Sequence, residues 1–219
     1  MSAMAPVVHL VDNDTRVLKS LARLFEVEGL STTSSTSAQE FLSVYDASVP
    51  GCVVLDLAMP GESGLELQAK LKRIHLPVPL VFLSGRSDVP ASVHAMKGGA
   101  VDFLTKPVER DALLAAVTAA LERDAARRER DRNRQDLHHN FATLTVRERQ
   151  VFAQVAEGRL NKQIAASLST CERTVKAHRA HLMEKLHAHS VAELVHIAVQ
   201  LEADAAPAAV SVPSIAATA

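Results

Sequence analysis

Four side chains able to take part in phosphoryl chemistry each close an apolar run in the first half of this 219-residue sequence. Asp12 follows residues 7–11, Asp56 follows residues 52–55, Ser84 follows residues 80–83, and Lys106 follows residues 101–105. A carboxylate at the end of a buried strand is held rigidly and can attack phosphorus to form an acyl phosphate. Such a transfer needs position and positive charge, because the moving group carries its charge on three oxygens. Lys106 can pair with one of those oxygens, and the Ser84 hydroxyl can donate to another. Asp12 adds a second carboxylate, the ligand type that holds Mg²⁺ beside a phosphate. Taken singly, Asp56 reads as a turn carboxylate before Pro60-Gly61, Ser84 as a loop serine and Lys106 as a solvated lysine. Their joint order at four strand ends is what favours the chemical reading.

Far downstream, Arg173-Thr174-Val175-Lys176 opens a basic amphipathic pattern. At helical spacing Val175, His178, Leu182 and Leu186 share one face. Arg173, Lys176, Ala177, Ala180, His181 and Glu184 lie opposite. A small, basic outer face near a helix N-terminus suits the major groove. Charge pattern alone favours an ordinary amphipathic surface helix.

These groups need elements to position them. Apolar runs at residues 7–11, 52–55, 80–83 and 101–104 are short and bounded by Asp, Pro or Gly, as buried parallel strands are. Residues 31–34 add a weaker edge strand. Helical patterns alternate with them. Val17, Leu18, Leu21, Leu24 and Phe25 form one face, closed by Gly29. Phe41, Leu42 and Tyr45 form the next, then Leu65, Leu67, Leu71 and Ile74, then Val93 and Met96. Five strands alternating with five helices predict an α/β, doubly wound, flavodoxin-like domain with a five-stranded parallel sheet. In such a sheet the strand ends line one edge, where ligands bind. The fifth helix starts near Arg110 and shows no stop before about Asn140. Residues 121–135 are rich in Arg, Glu and Asp and read as a solvated, charged helix. From Leu144 to Leu201 the pattern is all helical. Thr145 with Glu148 predicts a capping box, Gly158 a helix end, and Asn161 a second cap. The expected division is 1–120, a phosphoacceptor domain; 121–140, a linker; 141–202, a separate all-α four-helix domain; and 203–219, an Ala/Pro/Ser/Val tail without periodicity, expected to be disordered.

Composition narrows the function. The net charge of −1 hides an asymmetry: residues 1–120 carry 10 Lys/Arg against 13 Asp/Glu, and residues 141–203 carry 8 against 6. With no Trp and one Tyr, base stacking on aromatics is not expected. Cys52 and Cys171 lie in different segments, which suits a reducing cytoplasm rather than a disulfide framework. Residues 1–6 lack a basic n-region, and no stretch approaches about 18 uninterrupted apolar residues, so neither an export signal nor a membrane span is expected. His138-His139 and the His187/His189 pair lack partners at metal-ligand spacing and read as linker and turn residues.

The segments Val-His-Leu-Val-Asp-Asn-Asp at residues 8–14, Val-Leu-Asp-Leu-Ala-Met-Pro-Gly-Glu-Ser-Gly at residues 54–64 and Ala-Met-Lys-Gly-Gly-Ala-Val-Asp-Phe-Leu-Thr-Lys-Pro at residues 95–107 resemble a two-component receiver of the FixJ subfamily. Residues 144–201 resemble the LuxR/NarL-type helix-turn-helix domain over nearly their whole length. The resemblance implies a cytoplasmic response regulator. A sensor histidine kinase would phosphorylate Asp56, with Mg²⁺ held by Asp12, Asn13, Asp56 and the backbone carbonyl of Ala58. Ser84 and Lys106 would contact the phosphoryl group, Phe103 would repack when Ser84 moves, and the Lys106–Pro107 bond would be cis. The surface of Val89–Lys97 and residues 101–103 would then drive formation of a homodimer that binds promoter DNA and acts on RNA polymerase. Lys176, Ala177 and Ala180 match the base-facing positions; Lys162, Arg173, Thr174 and Lys185 are phosphate-contact candidates. Two departures stand out. Asn13 replaces the second of two adjacent acids, with Asp14 better placed as a helix cap. Cys171 replaces a usual Ser cap, with Thr170 as a substitute cap. Two other readings compete. One is a regulator that works without phosphorylation, motivated by Asn13. The other is an Asp-nucleophile phosphatase, which needs an acid where Ala58 stands.

Overall fold

The computed structural model describes residues 4–85 and 89–205. The chain forms two compact units, Met1–Glu129 and Arg130–Ala219. In the first, β1 (Val7–Val11), α1 (Thr15–Val27), β2 (Ser31–Ser35), α2 (Ala38–Val44), β3 (Gly51–Asp56), α3 (Gly64–Arg73), β4 (Leu80–Ser84), α4 (Val89–Lys97) and β5 (Asp102–Thr105) precede the long α5 (Arg110–Ala142). The five strands form a parallel sheet in the order β2-β1-β3-β4-β5. This is the expected doubly wound architecture.

Strand alternation sorts the core into two layers. Val8, Leu10, Cys52, Val54, Val81 and Leu83 pack with Leu18, Leu21 and Phe25 of α1 and with Leu113 and Val117 of α5. Val11, Val53, Leu55 and Phe82 pack on the other face with Phe41 of α2, Leu67 and Leu71 of α3 and Ala95 of α4. Because both faces are covered, the central strands are apolar along most of their length, with His9 of β1 as a buried polar exception, which is why they read as near-continuous runs. Burial pushes the Cys52 thiol up to about 12, so it packs as a small neutral group.

Three details depart from the expected pattern. Ile74 lies past the end of α3 as its C-cap and is exposed. Val93 and Met96 are exposed, and Ala95 is the buried side chain of α4. A small residue lets that helix lie close to the sheet, so its larger apolar side chains face outward. The third concerns residues 121–135, which are not uniformly solvated. Asp124 is 1% exposed. Its carboxylate accepts the Gly51 N–H at 3.0 Å, Arg127 at 2.6 Å and Arg128 at 2.6 Å. Arg128 also donates to the carbonyls of Ala47, Ser48 and Val49. The first turns beyond the sheet are therefore bolted to the entrance of β3.

The second unit holds the end of α5 with α6 (Val146–Ala156), α7 (Asn161–Ser167), α8 (Glu172–Lys185) and α9 (Val191–Ala205). Val151, Phe152, Val155, Ile164, Val175, Leu182 and Leu194 form its core. Phe141, from the end of α5, packs edge-on to Phe152 at 5.3 Å between ring centres. Asp204 near the end of α9 accepts from Arg134 at 2.8 Å and pairs with His138 at 2.7 Å. His138 thus has a hydrogen-bond partner in α9. Residues 203–205, expected in the tail, continue α9; the rest of that segment lies outside the described residues.

The Thr145–Glu148 capping box forms as expected. Glu148 is also buried against Lys185, whose ammonium lies 2.7 Å away. Burial alone raises a carboxyl pKa, but the Lys185 and Thr145 bonds outweigh it and hold Glu148 at about 2. Its contribution to stability is complete above the ordinary Glu value and fades as pH falls through about 2. Glu148→Gln is expected to destabilise this unit by about 2 kcal/mol at neutral pH and to shrink its acid dependence. Urea denaturation across an acid-to-neutral pH series checks this; an unchanged midpoint at neutral pH would refute it.

Candidate functional site

Register brings the four strand-end groups to one edge. Val11 is paired with Leu55, so Asp12 lies beside Asp56. Asp56 is paired with Leu83, the residue before Ser84. Ser84 is paired with Thr105, and its carbonyl accepts the Lys106 N–H at 2.7 Å. The edge is where β1 and β3, neighbours in the sheet, send their following helices to opposite faces. That is the switch point at which open α/β sheets form their crevice.

The charges interlock. Lys106 Nζ donates to Asp12 Oδ2 at 2.6 Å and to Asp56 Oδ1 at 2.6 Å. The remaining oxygens are aimed by backbone: Asp14 N–H donates to Asp12 Oδ1 at 2.8 Å, and Ala58 N–H to Asp56 Oδ2 at 2.9 Å. Asp12 and Asp56 are 4% and 6% exposed, so two carboxylates share a nearly dry edge. Burial lowers the Lys106 pKa, but both carboxylates raise it, and the net shift is upward. Lys106 is therefore a fixed positive charge at working pH. The loop after Asp56 closes against it through Gly64, where a Cβ would meet the Asp56 carbonyl at 2.5 Å. Ser84 is buried. Phe103 is half-buried and stacks on Phe82 at 6.2 Å between ring centres. The Lys106–Pro107 peptide is cis.

The donor set fits Mg²⁺. Asp12 and Asp56 supply two hard oxygen ligands, and Mg²⁺ is commonly bound through one or two carboxylates with water and phosphate completing its octahedron. The fit is lean. Asn13 is exposed and adds no charge. Asp14 is committed elsewhere: it caps α1 through the Arg16 N–H at 2.8 Å and pairs with the Arg16 guanidinium at 2.8 Å. That pairing holds its carboxyl at about 2. Among the described residues, no three His, Cys, Asp or Glu side chains gather to hold a metal.

In the second unit, α8 buries Val175 and Leu182, and its C-cap Leu186 is buried as well, while His178 on the same face is half-buried. Arg173, Lys176, Ala177, Ala180, His181 and Glu184 are exposed together, as helical spacing predicts. Lys162 on α7 is exposed too, and Thr174 is half-buried. Lys185 has a structural partner: its ammonium pairs with Glu148 at 2.7 Å and holds α8 to α6, with the side chain still partly exposed. Cys171 occupies the N-cap position of α8 without a side-chain cap bond, and Thr170 does not replace it. Its Sγ lies 3.2 Å from Thr174 Oγ1, a contact that lowers the thiol pKa. Asn161 is a correction. Leu160 is the N-cap of α7, and Asn161 Oδ1 instead accepts from Arg179 Nη1 at 2.7 Å. Nothing periodic marks that pair; it is visible only once α7 and α8 are packed.

Residues 8–118 match the family model of the response regulator receiver domain, and residues 142–198 match that of the bacterial regulatory proteins, luxR family. Nodulation protein W of Bradyrhizobium diazoefficiens is 44% identical over 195 residues, covering 89% of this chain and 86% of that protein. Transcriptional regulatory protein FixJ of Azorhizobium caulinodans is 43% identical over 210 residues, covering 94% and 97%. Among solved structures, that of response regulator StyR is similar with a TM-score of 0.80 at 41% identity, covering 90% of this chain and 99% of that one. Among the described residues, no helix is long and apolar enough to cross a membrane.

Proposed function

Because this chain belongs to the two-component response regulators, with a receiver domain and a LuxR-type DNA-binding domain, we propose that Asp56 is the phosphoacceptor whose modification controls DNA reading by α8. The family membership makes the protein a phosphorylation-controlled transcription regulator of the FixJ-like kind, served by a sensor kinase and acting on promoter DNA. The observation that carries the residue assignment is the Lys106 ammonium bridging Asp12 and Asp56 at the sheet edge.

The chemistry follows from that geometry. An Asp56 carboxylate oxygen attacks the phosphorus of a phosphohistidine, the P–N bond breaks, and the imidazole leaves. Lys106 and the Ser84 hydroxyl receive the phosphoryl oxygens. Asp12, Asp56 and the Ala58 carbonyl, with Asn13 beside them, would hold Mg²⁺, which would supply neutralising charge for the phosphoryl group. With Ser84 drawn toward phosphate, Phe103 turns inward from its half-buried position. This biases the α4/β5 surface, where Val89, Val93 and Met96 are already exposed. A dimer formed there presents two copies of α8 to paired half-sites, by which the regulator recruits RNA polymerase in the cytoplasm. Lys176, Ala177 and Ala180 would face bases, with Lys162, Arg173, Thr174 and Lys185 on phosphates. Two alanines among three base-facing positions leave thymine-methyl contact and water-mediated readout, so much of the affinity is electrostatic and steeply salt-dependent. The protein serves as the acceptor in phosphoryl transfer. A phosphatase would need a proton donor where Ala58 stands.

Asn13 favours one second reading, a regulator that binds DNA without phosphorylation. A Mg²⁺ series decides between them. Purified protein treated with acetyl phosphate is expected to incorporate phosphate, dimerise and gain promoter affinity, with a Mg²⁺ midpoint about tenfold higher than that of Asn13→Asp, because the restored carboxylate adds a charge next to the ion. Intact-mass measurement and light scattering report the two steps. No incorporation at any Mg²⁺ concentration, with DNA binding intact, would establish the second reading. Equal midpoints for the two proteins would remove the cost assigned to Asn13.

A further inference from the structure

The register of α8 against its neighbours decides where Lys176, Ala177 and Ala180 meet a duplex. Apolar packing holds its inner face through Val175 and Leu182, both fully buried. Ile164 and Ala165 of α7 join that core, and toward the start of α7 it gives way to an open cleft. A cavity of about 240 Å³ opens there, lined by Val155, Gly158, Leu160, Asn161, Arg179 and Val191, with Arg159. Two residues on the cavity wall are instead joined by a polar bond, Arg179 Nη1 to Asn161 Oδ1 at 2.7 Å. Arg179 is half-buried and immediately precedes the base-facing Ala180. A guanidinium bond to an amide oxygen is charge-assisted and directional, which suits it to hold one helix at a set angle to another.

We propose that Arg179 is a positioning residue for DNA reading, setting through Asn161 the seat of α8 against α7 and with it sequence discrimination. The inference rests on α8 being the DNA-reading helix. Lys176 is the one base-facing side chain with donors, so its aim carries most of the direct readout. A small rotation of α8 misaims it while leaving the basic surface in place. Arg179 therefore acts on selectivity, whereas phosphate-facing residues act on affinity for any duplex.

The test uses the full-length protein treated with acetyl phosphate. Its probes are the duplex that the wild-type protein enriches from a random-sequence pool and a shuffled duplex of equal composition. Anisotropy titrations across a salt series give both affinities. Arg179→Ala is expected to lose about tenfold on the enriched duplex. It should lose less than about twofold on the shuffled one and keep its salt slope. Asn161→Ala should copy it, and the double variant should lose no more than either single one. Asn161→Asp retains the acceptor and should retain selectivity. Lys162→Ala, by contrast, should weaken both duplexes alike and reduce the slope by about 0.9. Should Arg179→Ala fail to fold by circular dichroism, Arg179→Lys and Asn161→Ala carry the same comparison. A uniform loss with a reduced slope would make Arg179 a phosphate contact and overturn the proposal, as would additive single variants. If the wild-type protein enriches no duplex at all, the DNA-reading role of α8 falls, and this inference with it.

Discussion

Asp56→Asn is expected to reduce phosphoryl incorporation from acetyl phosphate by at least about 10³-fold, because the nucleophile itself is removed. The variant should still fold. Asn keeps the shape of Asp, and Lys106 retains Asp12 as a partner at 2.6 Å. It loses one acceptor, since Asp56 now serves Lys106 with one oxygen and the Ala58 N–H with the other. That costs about 1 kcal/mol, small against the stability of a domain. Dimer formation and promoter affinity should then no longer respond to the phosphodonor. Intact-mass spectrometry of both proteins, with circular dichroism as a control, checks the chemistry. Undiminished incorporation would move the acceptor elsewhere, with Asp12 as the nearest carboxylate, and would sink the assignment of Asp56.

The second large effect lies at the opposite end of β3. Asp124→Ala is expected to destabilise the first unit by about 3–5 kcal/mol, the range seen when one member of a buried charge cluster is removed. Arg127 and Arg128 would keep their charges without their shared carboxylate, and the buried Gly51 N–H would lose its acceptor. Arg128 would also be freed to swing away from the carbonyls of Ala47, Ser48 and Val49. The pH dependence has a definite sign. Burial alone pushes the Asp124 carboxyl up, but the two guanidinium groups and the Gly51 N–H outweigh it, and the net shift is downward. A lowered carboxyl pKa stabilises the fold fully above the ordinary Asp value, near pH 4, and the gain is lost as pH falls through the folded value. Asp124→Ala should therefore be most damaging at neutral pH and lose its difference from wild type in strong acid. Urea unfolding of the full chain at several pH values measures this. A loss under about 1 kcal/mol at neutral pH would mean the cluster is solvated, as an exposed ion pair would be.

Much of the receiver was legible before folding was considered, for a local reason. A strand buried on both faces is apolar along most of its length, so the polar residue that ends it announces both its boundary and an exposed edge. Asp12, Asp56, Ser84 and Lys106 were legible in this way, and so was the outward face of α8, because helical periodicity is a property of neighbouring residues. The capping groups Asp14 and Thr145 belong to the same class, each acting within three residues of itself.

What escaped sequence reasoning was decided by partners distant along the chain. Asp124 looks like one more charge in a charged stretch until Gly51, 73 residues earlier, presents an N–H at the sheet entrance. Lys185 looks free until Glu148, 37 residues away, claims its ammonium. Asn161 has the composition of a helix cap, but Arg179, 18 residues on, takes its oxygen. Val93 and Met96 have core character, yet the small Ala95 is the side chain that α4 buries. The order of side chains along the chain determined which groups end strands and which line a helix face, because those are fixed by local backbone geometry. Tertiary structure alone decided which charges are neutralised and which remain available to a phosphate or a duplex, because a charge is claimed by whatever packing brings within about 3 Å of it.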